Sequence, residues 1–237
     1  MIKPRSTFQG CDVPSQRVSE NPLLLQNIDR AGLPDLFEHK KHIVYPAGSS
    51  AFSSSDTLKN VYFILSGKIK ISQVNPETSK EQTLYLLSRG DIYDVITLLD
   101  GREHDYISVA LEESEVVEVP IGHIRELIEN DPAFNTFFFP YLAKQMRNME
   151  ELAVDLSLYD VYNRLLRLIA RNVDTAKGRS LKLINNLSHE ELAALVGSVR
   201  KVVNRNIQKL KNEGVLEVSR KQLKLKSLQQ LFEKLKY

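Results

Sequence analysis

The stretch Leu187–Gly214, LSHEELAALVGSVRKVVNRNIQKLKNEG, constrains this chain more than any other. Ser188, followed three residues later by Glu191, is a capping box, so a helix is expected to begin there. Leu192 and Leu195 give that helix an apolar face, and Gly197 stops it. Ser198 is expected to cap a second helix, 199–213, on which Val199, Val203, Ile207 and Leu210 recur at helical spacing. With a turn of about three residues between them, the two helices read as a helix-turn-helix. Ala193, four before Gly197, is small enough to let them cross closely. The opposite face of the second helix carries Arg200, Lys201, Asn204, Arg205 and Gln208. These side chains match the donors and acceptors on guanine and adenine edges in a major groove. Two basic helices on the surface of a bundle would be the plainer reading. Cap, turn, glycine and polar face together favour the groove-reading one.

The sequence after this pair agrees. Glu213-Gly214 ends the second helix, with glycine suited to a left-handed cap. Val215–Val218 and Gln222–Lys226 then alternate around Ser219-Arg220-Lys221, a short hairpin with a basic tip, as in a winged helix-turn-helix. A last helix, Leu228–Leu235 with Ser227 as its cap, is expected to pack Leu228, Leu231, Phe232 and Leu235 onto the domain. The DNA contacts expected from sequence are therefore Ser198, Arg200, Lys201, Asn204, Arg205, Gln208 and, on the wing, Lys221. Arg220 and the loop around Lys177-Gly178-Arg179 are further candidates for phosphate.

Charge divides the chain in two. Residues 161–237 hold 17 Lys/Arg against 6 Asp/Glu, a net of +11, whereas residues 1–160 hold 15 against 24, a net of −9. The overall +2 hides this split. A basic field attracts phosphate and releases counterions, so one half suits nucleic acid and the other serves another purpose. No apolar run approaches the ~18–20 residues of a membrane span, and no signal-peptide core is evident, so a cytoplasmic protein is expected. The single cysteine, Cys11, permits neither an internal disulfide nor an iron–sulfur cluster held by several cysteines of one chain. No phosphate-cradling glycine loop with lysine, zinc-hydrolase histidine pair or nucleophile elbow is present, which argues against an enzyme. His189 beside Glu190-Glu191 lies in the first turn of a capped helix and is no acid–base centre.

Upstream, 1–22 reads as a loose N-terminal arm and Leu23–Leu36 as one or two short helices. From about His42, short alternating runs are separated by turn residues, as in a small β-roll. Ile121–Ile128 is a short helix with Ile121, Ile124, Leu127 and Ile128 inward. Asp131-Pro132 opens a long helix that runs towards Leu158 and holds Pro140, expected to kink it or delay its regular start. On that helix Leu142, Met146, Met149, Ala153 and Leu156 form a heptad seam. Packing within the chain would account for the seam, but a two-fold reader of DNA half-sites needs a symmetric partner, and dimerisation is the expectation. Asp160 caps the helix Val161–Asn172 that begins the basic domain. The fold class expected is α+β, divided as an arm (1–22), a sensor roll (23–131), a dimerisation helix and hinge (132–160) and a winged helix-turn-helix (161–237).

In this order the elements resemble the cyclic-AMP receptor protein/fumarate–nitrate regulator (Crp/Fnr) family of bacterial transcription factors. The resemblance is carried by Tyr62–Lys70, Gly90-Asp91-Ile92, Asp131-Pro132, Asp160 and Gly197–Arg205. It implies a homodimer that reads a palindromic operator, with recognition helices one DNA turn (about 34 Å) apart. An activator of this kind would also touch RNA polymerase. Arg200 and Arg205 stand where the family reads bases with arginine, but Lys201 stands where many members have glutamate. Lysine only donates, so the half-site is expected to depart from the family's usual one at that base pair.

The sensory positions depart further. Where cyclic-nucleotide members hold ribose, cyclic phosphate and adenine, this chain has Tyr93-Asp94, His104-Asp105 and Met149. Two acids and no phosphate arginine repel an anion, so cyclic AMP is not expected; Arg102 is the only nearby compensating cation in sequence. Tyr93, Tyr106 and Met149 could line an apolar pocket, haem held by His104 or His123 is an alternative, and bulky side chains filling the space is another. His39 and His42 would form at most half of a metal site, so no metal is assigned. A different class of function also stands open: a ligand-sensing module whose winged domain contacts protein.

Overall fold

The computed structural model describes residues 41–174, 180–219 and 222–235. The expected N-terminal arm, the helices of Leu23–Leu36 and His39 lie outside the described residues. Among the described residues, the strands and short helices of the first half build the roll. In order they are β1 (Lys41–Tyr45), α1 (Ser54–Thr57), β2 (Asn60–Ser66), β3 (Lys68–Val74), β4 (Glu81–Ser88), β5 (Ile92–Tyr93), α2 (Val95–Asp100) and β6 (Ile107–Ala110). β7 (Ser114–Pro120) closes it, and α3 (Ile121–Asn130) and α4 (Pro132–Leu158) follow. One sheet has the order β1-β7-β2-β5 and the other β4-β3-β6, with antiparallel pairing throughout.

Strand alternation decides what lies on either side of the first sheet. Tyr62 and Ile64 of β2 point into the roll with Ile69, Ile71 and Val116, while Val61 and Phe63 point outward against Ile121, Ile124, Phe134 and Phe138 of α3 and α4. The sheet thus has two apolar faces, one closing the roll and one docking the helices. Tyr141 of α4 pins that docking: its hydroxyl donates to the Ile92 carbonyl (3.0 Å) and accepts from the Ile92 amide (2.8 Å). α1 and α2 were not foreseen from sequence. α2 is short, and its cap is Asp94, whose carboxylate accepts from the Thr97 amide and from Thr97 Oγ1 (2.6 Å).

Asp131 caps α4 through the Ala133 amide with Pro132 next in line, as expected. α4 runs unbroken through Pro140, so the proline does not delay the helix. Asp160 caps α5 (Val161–Asn172) through Asn163, also as expected. α6 (His189–Leu195), α7 (Arg200–Asn212), β8 (Leu216–Ser219), β9 (Gln222–Leu225) and α8 (Leu228–Leu235) complete the winged domain around Leu166, Ile169, Leu192, Val203, Ile207, Leu210 and Leu231. Ser227 caps α8 through Gln230, but Leu228 and Phe232 remain largely exposed, and Leu231 alone is fully inside. A helix of eight residues, little more than two turns, has room for a single row of contacts with the core.

The two halves touch. Lys68 Nζ donates to Asn186 Oδ1 (2.7 Å), Leu86 of β4 packs on the winged core, and Leu156 of α4 lies against Gly197. Where α4 meets α5, Asp155 accepts from Arg167 Nε (2.5 Å) and Arg171 Nη2 (2.6 Å), and Arg171 also meets Glu151 at 3.1 Å. Arginine forks hold a carboxylate directionally, so α5 is oriented on α4 by charge as well as by packing.

Candidate nucleic-acid interface and effector pocket

The capping box forms as its sequence requires: Ser188 Oγ accepts from the Glu191 amide, and the Glu191 carboxylate accepts from the Ser188 amide. Leu192 and Ala193 are buried, and Gly197 turns the chain at φ +61°, with the Ser198 amide bonded back to the Ala193 carbonyl at 2.9 Å. Here the cap assignment needs correction. Val199, not Ser198, is the residue before α7, and no side chain caps that end. Ser198 is used in closing the turn. Val199 is also 55% exposed, so the buried stripe of α7 is Val203, Ile207 and Leu210, joined by Asn206.

Above that stripe Arg200, Lys201, Arg205 and Gln208 are exposed. Lys201, Arg205 and Gln208 fall at spacings of four and three, one row along the helix. Arg200, the first residue of α7, is paired with Glu190 at 2.6 Å, both side chains being exposed. Asn204 is half-buried, and its Oδ1 is hydrogen-bonded to His189 Nδ1. His189 and Glu190 were not assigned a role from sequence; their placement in the first turn of a helix that crosses α7 was the available signal. Lys221, Arg220 and the Lys177–Arg179 loop lie outside the described residues.

The expected effector residues do not assemble into one pocket. Tyr93 is buried and stacks on Phe52 (4.7 Å between ring centres), which also packs on Tyr62. Burial pushes the phenol of Tyr93 up, and that of neighbouring Tyr85 up to about 12, so both stay protonated. Asp94 is spent on capping α2, with His104 Nε2 3.5 Å away, and His104 stacks on Tyr106. Arg102 and Asp105 face solvent. Between Tyr85, Tyr93, Asp94, Tyr106 and Gln145 only about 20 Å³ remains, room for a single water. Met149 faces a different cavity. The aromatic plug of Phe52, Tyr62 and Tyr85 was missed from sequence. Among the described residues no three His, Cys, Asp or Glu side chains come together as a metal would need.

Along α4, Met146 is 68% exposed, and Ala153, Leu156 and Leu158 are exposed too. Leu142 differs: it is partly buried against the roll core. Among the described residues no helix is long and apolar enough to cross a membrane.

A sensor-type roll, a long connecting helix and a winged helix-turn-helix with a basic outer face define a DNA-binding transcription regulator. Residues 42–131 match the cyclic nucleotide-binding domain model and residues 161–233 the Crp-like helix-turn-helix domain model, together more than half of the chain. The chain belongs to the Crp/Fnr family of transcription regulators, whose members bind DNA operators, typically dimerise, and are not enzymes. It is 23% identical to the CRP-like cAMP-activated global transcriptional regulator of Mycobacterium tuberculosis, over 88% of this chain and 94% of that protein. It is 26% identical to the global nitrogen regulator of Nostoc sp., over 80% of this chain and 83% of that one. The fold matches a mutant of CooA from Carboxydothermus hydrogenoformans with a TM-score of 0.73 at 22% identity, covering 89% of this chain and 94% of that one.

Proposed function

We propose that this regulator acts as a homodimer on a roughly palindromic operator, inserting α7 of each copy into a major groove. The observation that carries this reading is the row Lys201, Arg205 and Gln208, with Arg200 beside it, exposed above the buried Val203, Ile207 and Leu210. Side chains held on a rigid, packed helix are pre-positioned for base edges. Ser198 and Lys221 sit in this reading at the phosphate backbone. Lys201 donates to a guanine or thymine acceptor where glutamate would have accepted from cytosine. The exposed Met146, Ala153 and Leu156, continued by Met149, form the dimer seam, and Leu142 contributes from its upper end.

The reading gives cyclic AMP no part at Tyr93-Asp94. The space there is that of one water, and the carboxylate already accepts from Thr97. Control therefore falls to another effector or to abundance. The protein works in the cytoplasm, and it meets RNA polymerase if it activates. Selection of bound duplexes from a random pool, followed by titration over a range of salt, tests the reading. A symmetric site, with log affinity falling by about 0.9 per neutralised phosphate for each unit of log salt, is expected. Salt-independent association would instead mark the winged domain as a protein-binding module.

A further inference from the structure

A large cavity among the described residues lies away from the aromatic plug. About 640 Å³ lies between β4 of the roll, α4 of the connecting helix and the winged domain, a volume ordinary for a small-molecule site. Its walls are largely apolar, with Leu84 and Leu86 from β4, Leu152 from α4, and Leu168 and Leu195 from the winged domain. Its three carboxylates are already engaged. Asp155 is held by Arg167 and Arg171, Glu151 by Arg171, and Asp91 accepts from the Ser88 amide and hydroxyl.

Two buried polar groups on the cavity wall lack a hydrogen-bond partner. Arg164 makes no ion pair with any described carboxylate, and its Nε is buried without a hydrogen-bond partner. Thr83 is 2% exposed, and its Oγ1 is likewise buried and unpartnered. Orphaned donors beside an apolar chamber are costly, and an anionic head that accepts from both removes that cost. Arg164 also reaches the helix-turn-helix itself: a Cβ built on Gly197 would lie 3.2 Å from its Nη1. A molecule held there touches the roll, α4 and the turn between α6 and α7 together.

We propose that this chamber is an effector site for an amphipathic carboxylate, its head on Arg164 and Thr83 and its tail along Leu84, Leu152 and Leu168. Occupancy favours the orientation in which the winged domain rests on the roll, because only that orientation supplies both walls. The site stands without the DNA-binding reading; the consequence for DNA rests on it.

The test uses the full chain with octanoate as probe and 1-octanol as its uncharged counterpart, followed by calorimetry. Saturable octanoate binding is expected, with octanol at least about tenfold weaker, the worth of a charge-assisted hydrogen bond. Arg164→Gln lowers octanoate affinity about tenfold and leaves octanol unchanged, and Leu168→Trp, which fills the chamber, removes both. Thr83→Val weakens octanoate and raises the melting temperature of the free protein, an outcome that a merely unfolded variant cannot produce. Absence of saturable binding, equal affinity for the two probes, or Arg164→Gln without effect overturns the site. Anisotropy of a labelled duplex separates the two claims: octanoate binding by a chain that binds no duplex at low salt overturns the regulator reading and leaves the site. Octanoate binding without any change in duplex affinity overturns the coupling.

Discussion

Asp155 near the end of α4 is buried, and Arg171 of α5 donates to it at 2.6 Å across the break between the two helices at Asp160. Arg167 donates to the other carboxylate oxygen, so one acid holds two arginines of the winged domain in place. Removing the acid takes the carboxylate from Arg167 and leaves Arg171 with Glu151 alone. Asp155→Asn is expected to lower stability by about 3 kcal/mol, the lower end of the range for a broken buried pair because the arginines retain some solvent. Denaturant midpoints of Asp155→Asn, Arg171→Ala and the double variant check this. The double variant should cost less than the two single ones together.

Arg205, on the exposed row of α7, pairs with no described carboxylate, whereas Arg200 is tied to Glu190. Arg205→Ala is expected to weaken operator binding by about 1–3 kcal/mol and to relax preference at one base pair. Glu190→Gln should do the reverse, tightening binding and steepening the salt dependence, since Arg200 no longer has to leave a carboxylate to meet DNA. Anisotropy titrations at several salt concentrations distinguish the two.

Gly67 and Gly48 both take a positive φ, but their surroundings differ. A Cβ at Gly67 would lie 2.5 Å from the Glu113 carbonyl and 2.6 Å from Ser114 Cα, whereas one at Gly48 meets nothing within 4 Å. Gly48→Ala is expected to cost only the left-handed penalty of about 1–2 kcal/mol. At Gly67→Ala the added clash with main chain brings the loss to about 3 kcal/mol or more. Thermal melts of the two variants give the comparison directly.

Burial pushes the Asp91 carboxyl above the usual carboxylate range, against the opposing influence of Lys144 and of the hydrogen bonds from Ser88. The folded chain therefore holds this proton to a higher pH than the unfolded chain does. This contribution to stability is full below the unfolded pKa and is lost as pH rises through the folded one. Asp91→Asn is expected to remove that fall. Urea midpoints between about pH 4 and 8, compared with the parent, would show the slope flattened.

The recognition domain was legible because its signals are local. A capping box, a glycine turn and alternating wing residues each act within a few positions, and each appears where it was expected. The Ser198 cap was misplaced by one residue because the turn claimed the serine and Val199 took the extended position before the helix. The pocket was not legible. Asp94 reads as a ligand residue when aligned by position, yet its nearest acceptor role is three residues along the chain, at Thr97.

Sequence alone determined that this chain holds a helix-turn-helix with a basic face, joined by a long capped helix to a β-roll, because periodicity, caps and charge balance are properties of short windows. Only the tertiary structure decided what the roll encloses. Phe52, Tyr62, Tyr85 and Tyr93 come from separate strands and loops, and they close one space while β4, α4 and the winged domain leave another open between them. Packing of side chains distant in the chain is set by where the backbones meet, and no local pattern records that.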